Sequence, residues 1–391
     1  MTTIDGTDAE QARSAALEAS GWGRPFRLVQ LRNAGFWVFV VGMLVGAVQL
    51  IHFYGPGLST YSVGLGVGVL AFLPYTIAWL LLLSYHNRYT SLPPKLLLVA
   101  FLWGAIPATY WIGLQANTAV LSLYGKLFGH AWARDYAAGF TAPVTEELAK
   151  ATALILLLGL APRLVRSPYD GLMIGAFAGL GLQISEDLLY VFNAAANGFG
   201  ADQVSAALQI IGTRAVAGLV QHVLFSAIFC AGLMWLIGRG EGRHRLRGLL
   251  LMLGAMILHN GWDNLGAYGQ RLAGAAGFIL MVIILFVVGL SLLTVTFRLA
   301  APQEQGWLRT ILVPEADRGL LTEAEVDAAS SGYRKRRAYR KAIHGHHNRK
   351  IATHVLEAAN DLAQALARAG GRESDAVDHA RTEIERLRTP V

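Results

Sequence analysis

Nine ionisable side chains lie inside otherwise apolar stretches of this chain, and most are of types that can activate water for hydrolysis. A carboxylate held away from bulk water can act as a general base near neutral pH. Histidine can bind a metal ion or donate to an oxyanion, and zinc held by two histidines and a glutamate is a known hydrolytic arrangement. The chain has no HExxH motif, which excludes a helix of the thermolysin type. The nine residues are Glu146, Glu147, Lys150, Glu186, Asp187, Arg214, His222, His259 and Asp263.

The spacing of these residues indicates which of them can meet. Glu146 and Glu147 are adjacent and point about 100° apart on a helix, so only one can aim squarely at a common centre. His259 and Asp263 are four residues apart and share a helical face. Two further patterns repeat at steps of four and predict, respectively, a closely packed face and a polar stripe. They are Gly171, Gly175 and Gly179, and Arg214, Gly218, His222 and Ser226.

Membrane-spanning helices must position these side chains. Charged residues make up 15% of the 391 residues, against roughly 25% in a soluble protein. Hydrophobic residues reach 54%, the mean hydropathy is +0.43, and the apolar residues fall into blocks long enough to cross a bilayer. We therefore predict an all-α fold, a polytopic transmembrane helical bundle of about eight spans with a small helical cytoplasmic tail. The predicted spans are residues 35–54, 62–85, 96–114, 136–160, 169–192, 208–237, 249–265 and 277–297.

Charge inside the spans is confined to the fourth to seventh. An ionisable group at the bilayer centre costs at least about 2.5–3.5 kcal/mol, so these groups must face one another or a wet cavity. Spans four to seven are thus expected to form an inner bundle around one polar chamber in the outer half of the membrane, with the other spans as a shield. Residues 117–134, mildly apolar and aromatic, are interpreted as an interfacial or re-entrant segment before span four.

The basic residues predict the orientation. They precede span one and occupy the loops after spans two, four and six, the last with Arg239, Arg243, Arg245 and Arg247. The alternate loops are poorer in positive charge, except that segment 117–134 holds Lys126 and Arg134. The positive-inside rule then places both termini in the cytoplasm, as an even number of spans requires. The same rule accounts for the net charge of +7, so no nucleic-acid partner is expected. The expected partner of the apolar helices is the lipid bilayer.

The chain divides into three parts by composition. Residues 1–33 form a polar cytoplasmic N-terminal segment, 34–299 the transmembrane domain and 300–391 a cytoplasmic helical tail. The tail contains a basic run from Arg334 to Lys341 and a histidine cluster. That cluster is interpreted as part of a solvated basic segment rather than a metal site. It consists of His344, His346 and His347.

The motifs on spans four to seven resemble those of the PrsW family of intramembrane proteases, distant relatives of the CAAX prenyl endopeptidases. Glu146-Glu147-Leu148-Ala149-Lys150 is similar to that family's EExxK motif. Glu186 and Asp187 resemble the second motif, which often reads Glu-Asn. His222 and His259 resemble the third and fourth, and Asp263 follows four residues later. The resemblance covers residues 136–265, and four elements in order on consecutive spans are far more specific than EExxK alone.

The resemblance implies a protease of the bacterial plasma membrane that cuts membrane-anchored proteins, such as single-span anti-sigma factors. Glu146 or Glu147 would polarise the attacking water. The same resemblance implies that Glu186, His222 and His259 bind a metal ion, with zinc as the candidate, or stabilise the oxyanion. The metal stays open, because the family is named for a metal while the CAAX relatives look metal-independent. Supporting roles fall to Lys150, Arg214 and Asp263.

Other interpretations compete with a protease. Glu146 and Lys150 are four residues apart and could form a structural ion pair, while Asp187 and Arg214 suit structural charges. The same buried groups could serve a proton-coupled transporter. Against a transporter, spans one to three lack any counterpart of the charged spans, so no inverted repeat is visible. A catalytically silent scaffold that presents the tail is the third alternative.

Overall fold

The computed structural model describes residues 6–240 and 244–388, and this part of the chain is helical without a strand. The prediction of an all-α fold is confirmed. Residue 243, an arginine counted in the loop after span six, lies outside the described residues, as do both chain ends. The helices are α1 Gly6–Ser20, α2 Ala34–Tyr54, α3 Leu58–Asn87, α4 Pro94–Trp103, α5 Leu114–Phe128, α6 His130–Trp132, α7 Ala138–Leu160, α8 Pro168–Asn197, α9 Gln203–Ala217, α10 His222–Leu236, α11 Arg245–Asp263, α12 Leu265–Asp317, α13 Glu323–Ala329, α14 Tyr333–Ala342, α15 His346–Arg368 and α16 Asp375–Arg388.

Four helical stretches of the described chain are long and apolar enough to cross a membrane. They are Ala34–Asn87, Pro94–Phe128, Pro168–Asn197 and Leu265–Asp317, the first of which contains both α2 and α3. The total of eight spans stays a prediction. Burial separates inner from outer helices. Within the 18-residue apolar segment of each helix, 72% of α8 is buried, against 17% for the α2–α3 stretch and 11% for α12. The outer helices expose rows of large apolar side chains, as lipid-facing surfaces do.

Glycines allow α8 and α10 to pack in backbone contact. A Cβ atom on Gly175 would lie 2.2 Å from the carbonyl oxygen of Ser226, and one on Gly179 would lie 2.3 Å from that of His222. Neither position could accept a side chain without moving a helix. The predicted close packing of the glycine face is confirmed. It brings α8 into backbone contact with His222, the first residue of α10.

The sixth span is broken, so the prediction of one continuous helix over residues 208–237 is wrong. α9 ends at Ala217, a 3₁₀ turn covers Gly218–Val220, and Gln221 has non-helical dihedrals of φ −112° and ψ −129° before α10 begins. The stripe at steps of four across this region is therefore not one helical face. Glycine lowers the cost of the break. A side chain at Gly218 would also meet Gln183 Nε2 at 2.4 Å and the Tyr75 hydroxyl at 2.5 Å.

The third span runs on further than predicted. α4 passes through a π-helical segment, Gly104–Gly113, into α5, so the polypeptide stays helical to Phe128. Gly129, with φ +85°, turns the chain, and a second π-helical segment, Ala133–Ala137, leads into α7. Residues 117–134 are thus largely helical, and their interfacial or re-entrant location stays a prediction.

The N-terminal helix and the tail share a second hydrophobic core. α1 packs against the last turns of α12, and the core includes Leu17 and Trp22 together with Leu312 and Leu362. The predicted boundary between the transmembrane domain and the tail, at residues 299–300, falls inside α12. That helix continues from the apolar region to Asp317. The first and last of the three predicted parts are therefore packed together in the structure.

Ion pairs anchor this second core. Arg13 of α1 is 1% exposed and donates from Nη2 to Glu315 Oε1 at 2.8 Å and from Nε to the carbonyl of Ile311 at 2.9 Å. Arg381 of α16 donates to both oxygens of the same fully buried carboxylate, at 2.9 and 3.0 Å. Arg381 also holds the pKa of the neighbouring Glu373 carboxyl below its ordinary value through a hydrogen bond. α1, α12 and α16 are thereby tied together.

Candidate active site

Four helices bring the predicted site residues into one buried cluster. α7 supplies Glu146 and Glu147, α8 supplies Glu186, and His222 and His259 come from α10 and α11. Glu147, His222, His259 and Glu146 are all at most 6% exposed. The two histidine rings lie 5.1 Å apart, centroid to centroid, in an edge-on arrangement. The ionisable groups of the four middle spans therefore meet in one place, as the cost of burying charge requires.

Both carboxylate oxygens of Glu147 are occupied. Oε1 accepts from Lys150 Nζ at 2.6 Å and from His259 Nδ1 at 3.0 Å, and Oε2 accepts from the Ser226 hydroxyl at 3.0 Å. Lys150 pairs with Glu147, three residues away, so the interpretation of a Glu146–Lys150 ion pair is wrong. A carboxylate is an acceptor only, so the proton of His259 sits on Nδ1 and the lone pair of Nε2 is left free.

Glu146 is the less satisfied member of the pair. Its Oε1 accepts from Asn117 Nδ2 at 3.0 Å, and the Thr145 hydroxyl in turn donates to the amide oxygen of Asn117. Its Oε2 is buried and has no hydrogen-bond partner among the described residues. That oxygen lies 3.7 Å from His222 Nδ1 and 3.8 Å from His259 Nε2.

His222 is oriented from two sides. Lys150 Nζ lies 3.2 Å from its Nδ1, and Glu186 Oε2 lies 2.9 Å from its Nε2. A charged lysine can only donate, which makes Nδ1 the acceptor and places the ring proton on Nε2, directed at Glu186.

Arg214 holds Glu186 in place behind this histidine. It donates from Nη2 to Glu186 Oε2 at 2.6 Å and from Nε to Asp187 Oδ1 at 2.5 Å. Its guanidinium lies 4.5 Å from the centroid of the Tyr190 ring. Glu186 and Asp187 thus share one cation, which offsets the cost of burying two adjacent carboxyl groups.

The arrangement fits a metal ion. Glu146, His222 and His259 each offer a ligand atom, and these atoms lie within 4.8 Å of one another. Among the described residues, Glu146 Oε2, His259 Nε2 and Asp263 Oδ2 are buried without a hydrogen-bond partner, and the last two lie 3.4 Å apart. Ligands of one tetrahedral zinc lie about 3.4 Å from one another when each is about 2.1 Å from the metal. Glu146 Oε2 lies 3.7 and 3.8 Å from the two histidine nitrogens, close to that value, although the three ligand atoms as a set lie only within 4.8 Å of one another.

Charge balance also favours a cation at this place. In the described part of the chain, five carboxyl groups of the cluster face two basic side chains, and buried charge of one sign requires neutralisation by protons or a metal. The carboxylate that lies with the two histidines is Glu146, whereas the family resemblance implied Glu186. The role of Glu186 as a ligand stays a prediction. Binding through His222 Nδ1 would require Lys150 to release that atom.

Three residues that support the cluster were not predicted from the sequence. Asn117 lies in the segment interpreted as interfacial, and Ser226 had no assigned contact. Asn260 Nδ2 donates to the carbonyl of Gly139 at 2.6 Å, which joins α11 to α7 next to the cluster. Polar amides and hydroxyls in apolar helices were the available signal, since such groups need partners when they are buried.

Comparison with known families adds one result. The model of the PrsW family intramembrane metalloprotease matches residues 92–290 of this chain, just over half of it. The match extends from just before α4 into α12 and contains the whole cluster, while α1 and the tail lie outside it. Neither the curated proteins nor the solved structures gave a match.

Proposed function

Because the chain belongs to the PrsW family of intramembrane metalloproteases, we propose that its buried glutamate–histidine cluster hydrolyses peptide bonds of membrane-anchored proteins. The observation that carries this proposal is the meeting of three buried groups, Glu146, His222 and His259, of which Glu146 and His259 each offer an atom without a protein partner. Structural polar groups in a core are normally satisfied, so unpaired acceptors that face one another indicate a site prepared for a ligand.

Glu146 is proposed as the base rather than Glu147. A base needs an oxygen free to take a proton, and Oε2 of Glu146 is free whereas both oxygens of Glu147 accept hydrogen bonds. Glu146 would take a proton from the water that attacks the peptide carbonyl carbon. As the C–N bond breaks, it would return a proton to the leaving amine. Asn117 holds its other oxygen and so aims the carboxylate.

The remaining groups act through these residues. Glu147 positions His259 through Nδ1, in the manner of the carboxylates that orient metal-binding histidines. Glu186 positions His222 through Nε2 and is itself held by Arg214. A bound metal, zinc being the candidate, would be held by Glu146, His222 and His259 with Asp263 beside them, and it would then use Glu146 as a ligand in place of that residue's role as the base. It would supply Lewis acidity and a more acidic water.

The substrate proposal is a single-span protein such as an anti-sigma factor, cut in or near the outer half of the bilayer. Support comes from the burial of the cluster between helices of the apolar part of the chain, where a membrane-anchored substrate has access that a soluble one lacks. The basic loops support a location in the bacterial plasma membrane with both termini in the cytoplasm. The source of the chain and its orientation are part of this proposal.

Cleavage by purified protein tests the function. Wild type, Glu146→Gln and a control, Glu323→Gln on an exposed position of α13, would be incubated in detergent with a single-span substrate. We expect cleavage by wild type and control, and a loss of at least about a hundredfold in the Glu146 variant, the usual contribution of a general base. Equal cleavage by all three would remove Glu146 from the mechanism. Proton-coupled solute uptake by proteoliposomes without proteolysis would favour the transporter instead.

A further inference from the structure

A cavity lies well away from the glutamate–histidine cluster, where the apolar helices meet the tail. It has a volume of about 560 Å³ and is lined by the end of α3, the first turn of α8, the part of α12 from Phe297 to Leu308, and the connection from α13 to α14. Phe297 is one of its lining residues, and its ring centroid lies 5.6 Å from those of both His86 and Tyr169. We call it the junction cavity. Most of it, including its whole tail side, lies outside residues 92–290.

The accessible charge of the junction cavity is positive. Arg298, Arg334 and Lys335 line it, are exposed, and have no ion pair within the described residues. Glu304 also lines it, but this side chain is 2% exposed and its Oε2 accepts from the indole of Trp22 at 3.2 Å. Three unpaired cations at one cavity create a local positive potential that attracts anions.

The basic helix α14 is held by α13 and approaches the membrane-spanning part of the chain at Tyr89. Arg336 of α14 donates to the carbonyl of Ala328 at 3.2 Å and to that of Ala329, and its guanidinium lies 5.5 Å from the ring of Tyr89, beyond the end of α3. Arg334 and Lys335 therefore have a defined place beside α3 and α12.

Apolar surface leads directly into the cavity. On α12, exposed large apolar side chains continue up to Val295, two residues before Phe297, and none follows on the described part of that helix. On α3 they continue through Leu81 and Leu82 to Tyr85. The junction cavity thus begins where lipid-facing surface ends, the depth at which phospholipid headgroups lie.

We propose that the junction cavity binds the headgroup of an anionic phospholipid. The phosphate would contact Arg298, Arg334 and Lys335, and the acyl chains would lie along the exposed faces of α3 and α12. Clusters of lysine and arginine beside a spanning helix are suited to anionic lipids. The bound lipid would join the tail to the last span by bridging α12 and α14.

Lipid binding by the full-length protein in detergent tests this site. The probes are short-chain phosphatidylglycerol, short-chain phosphatidylcholine and inorganic phosphate, with dissociation constants measured by calorimetry. The cavity variant is Arg298→Gln/Arg334→Gln/Lys335→Gln. The control variant, Arg337→Gln/Lys341→Gln/Lys350→Gln, removes the same charge from exposed residues of the tail that do not line the cavity.

We expect wild type to bind phosphatidylglycerol more tightly than either other probe. The cavity variant should bind it about a hundredfold more weakly, since each basic residue near a lipid surface contributes about a factor of five. The control variant should keep the wild-type affinity. Should the triple variant fail to fold, Lys335→Gln alone should lose about fivefold.

Several outcomes would overturn the proposal. Equal weakening in both triple variants would mean diffuse attraction by the tail, and unchanged affinity in the cavity variant would remove the site. Equal affinity for the two lipids would show that no anionic headgroup is recognised. Inorganic phosphate bound as tightly as the lipid would show a phosphate site without lipid.

Discussion

Replacing Glu147 by glutamine should separate its structural role from catalysis. Glu147 and Lys150 are both fully buried and 2.6 Å apart, so Glu147→Gln leaves the lysine ammonium without its carboxylate. Breaking a buried ion pair by removing one partner costs about 3–5 kcal/mol. That cost would lower the melting temperature by roughly 5 °C for a chain of 391 residues. Activity should also fall, because an amide can donate to His259 Nδ1 and reverse the ring tautomer.

A second change tests whether the unpaired lysine is the cause. In Glu147→Gln/Lys150→Met the cation is removed as well, and replacing a buried pair by groups of similar volume is often neutral. The double variant should recover most of the lost melting temperature in detergent while activity stays low, because His259 still lacks its carboxylate. If Glu147→Gln melts like wild type, or if the double variant melts no higher than the single one, the assignment of Glu147 as the partner of Lys150 is wrong.

Three further predictions follow from other contacts. Purified protein should hold stoichiometric metal by elemental analysis, and His259→Ala should lose it, since that residue offers an unpartnered nitrogen to the trio. Gly175→Val should prevent α8 from packing on α10 and lower the yield of folded protein in size-exclusion chromatography. Arg381→Gln should destabilise the tail by about 1.5–3 kcal/mol, because the buried Glu315 loses a bidentate partner while it keeps Arg13; limited proteolysis of the tail would report it.

Each of these has a matched control. Exposed His354→Ala should keep the metal, and equal metal content in both histidine variants would exclude the proposed ligand set. Gly159→Val, at a position with no neighbour within 4 Å of an added Cβ, should leave the yield unchanged. Exposed Arg309→Gln, whose ion pair is open to solvent, should leave the proteolysis pattern alone, and the packing argument fails if Arg381→Gln does so too.

The sequence alone determined that the ionisable side chains of the apolar stretches must lie together, away from lipid. Apolar blocks predicted the spans, and charge confined to four of them predicted a shared chamber because lipid cannot hold unpaired ions. The glycine repeat predicted that α8 packs closely against a neighbouring helix, since only a missing Cβ allows backbones to approach that closely, and the structure shows that this neighbour is α10. These inferences depend on composition and on the helical period, which can be read from short segments of the sequence.

Tertiary structure decided which atoms meet. Whether Lys150 pairs with Glu146 or with Glu147 depends on side-chain rotamers and on what the neighbouring helices offer, and His259 on α11 and Ser226 on α10 select Glu147. The break before His222 arises where the chain crosses Gln183 and Tyr75, a contact between distant segments. Hydropathy reports the depth of a residue but not the direction of its hydrogen bonds, so Glu146, with its free oxygen, could be distinguished from its neighbour only in three dimensions.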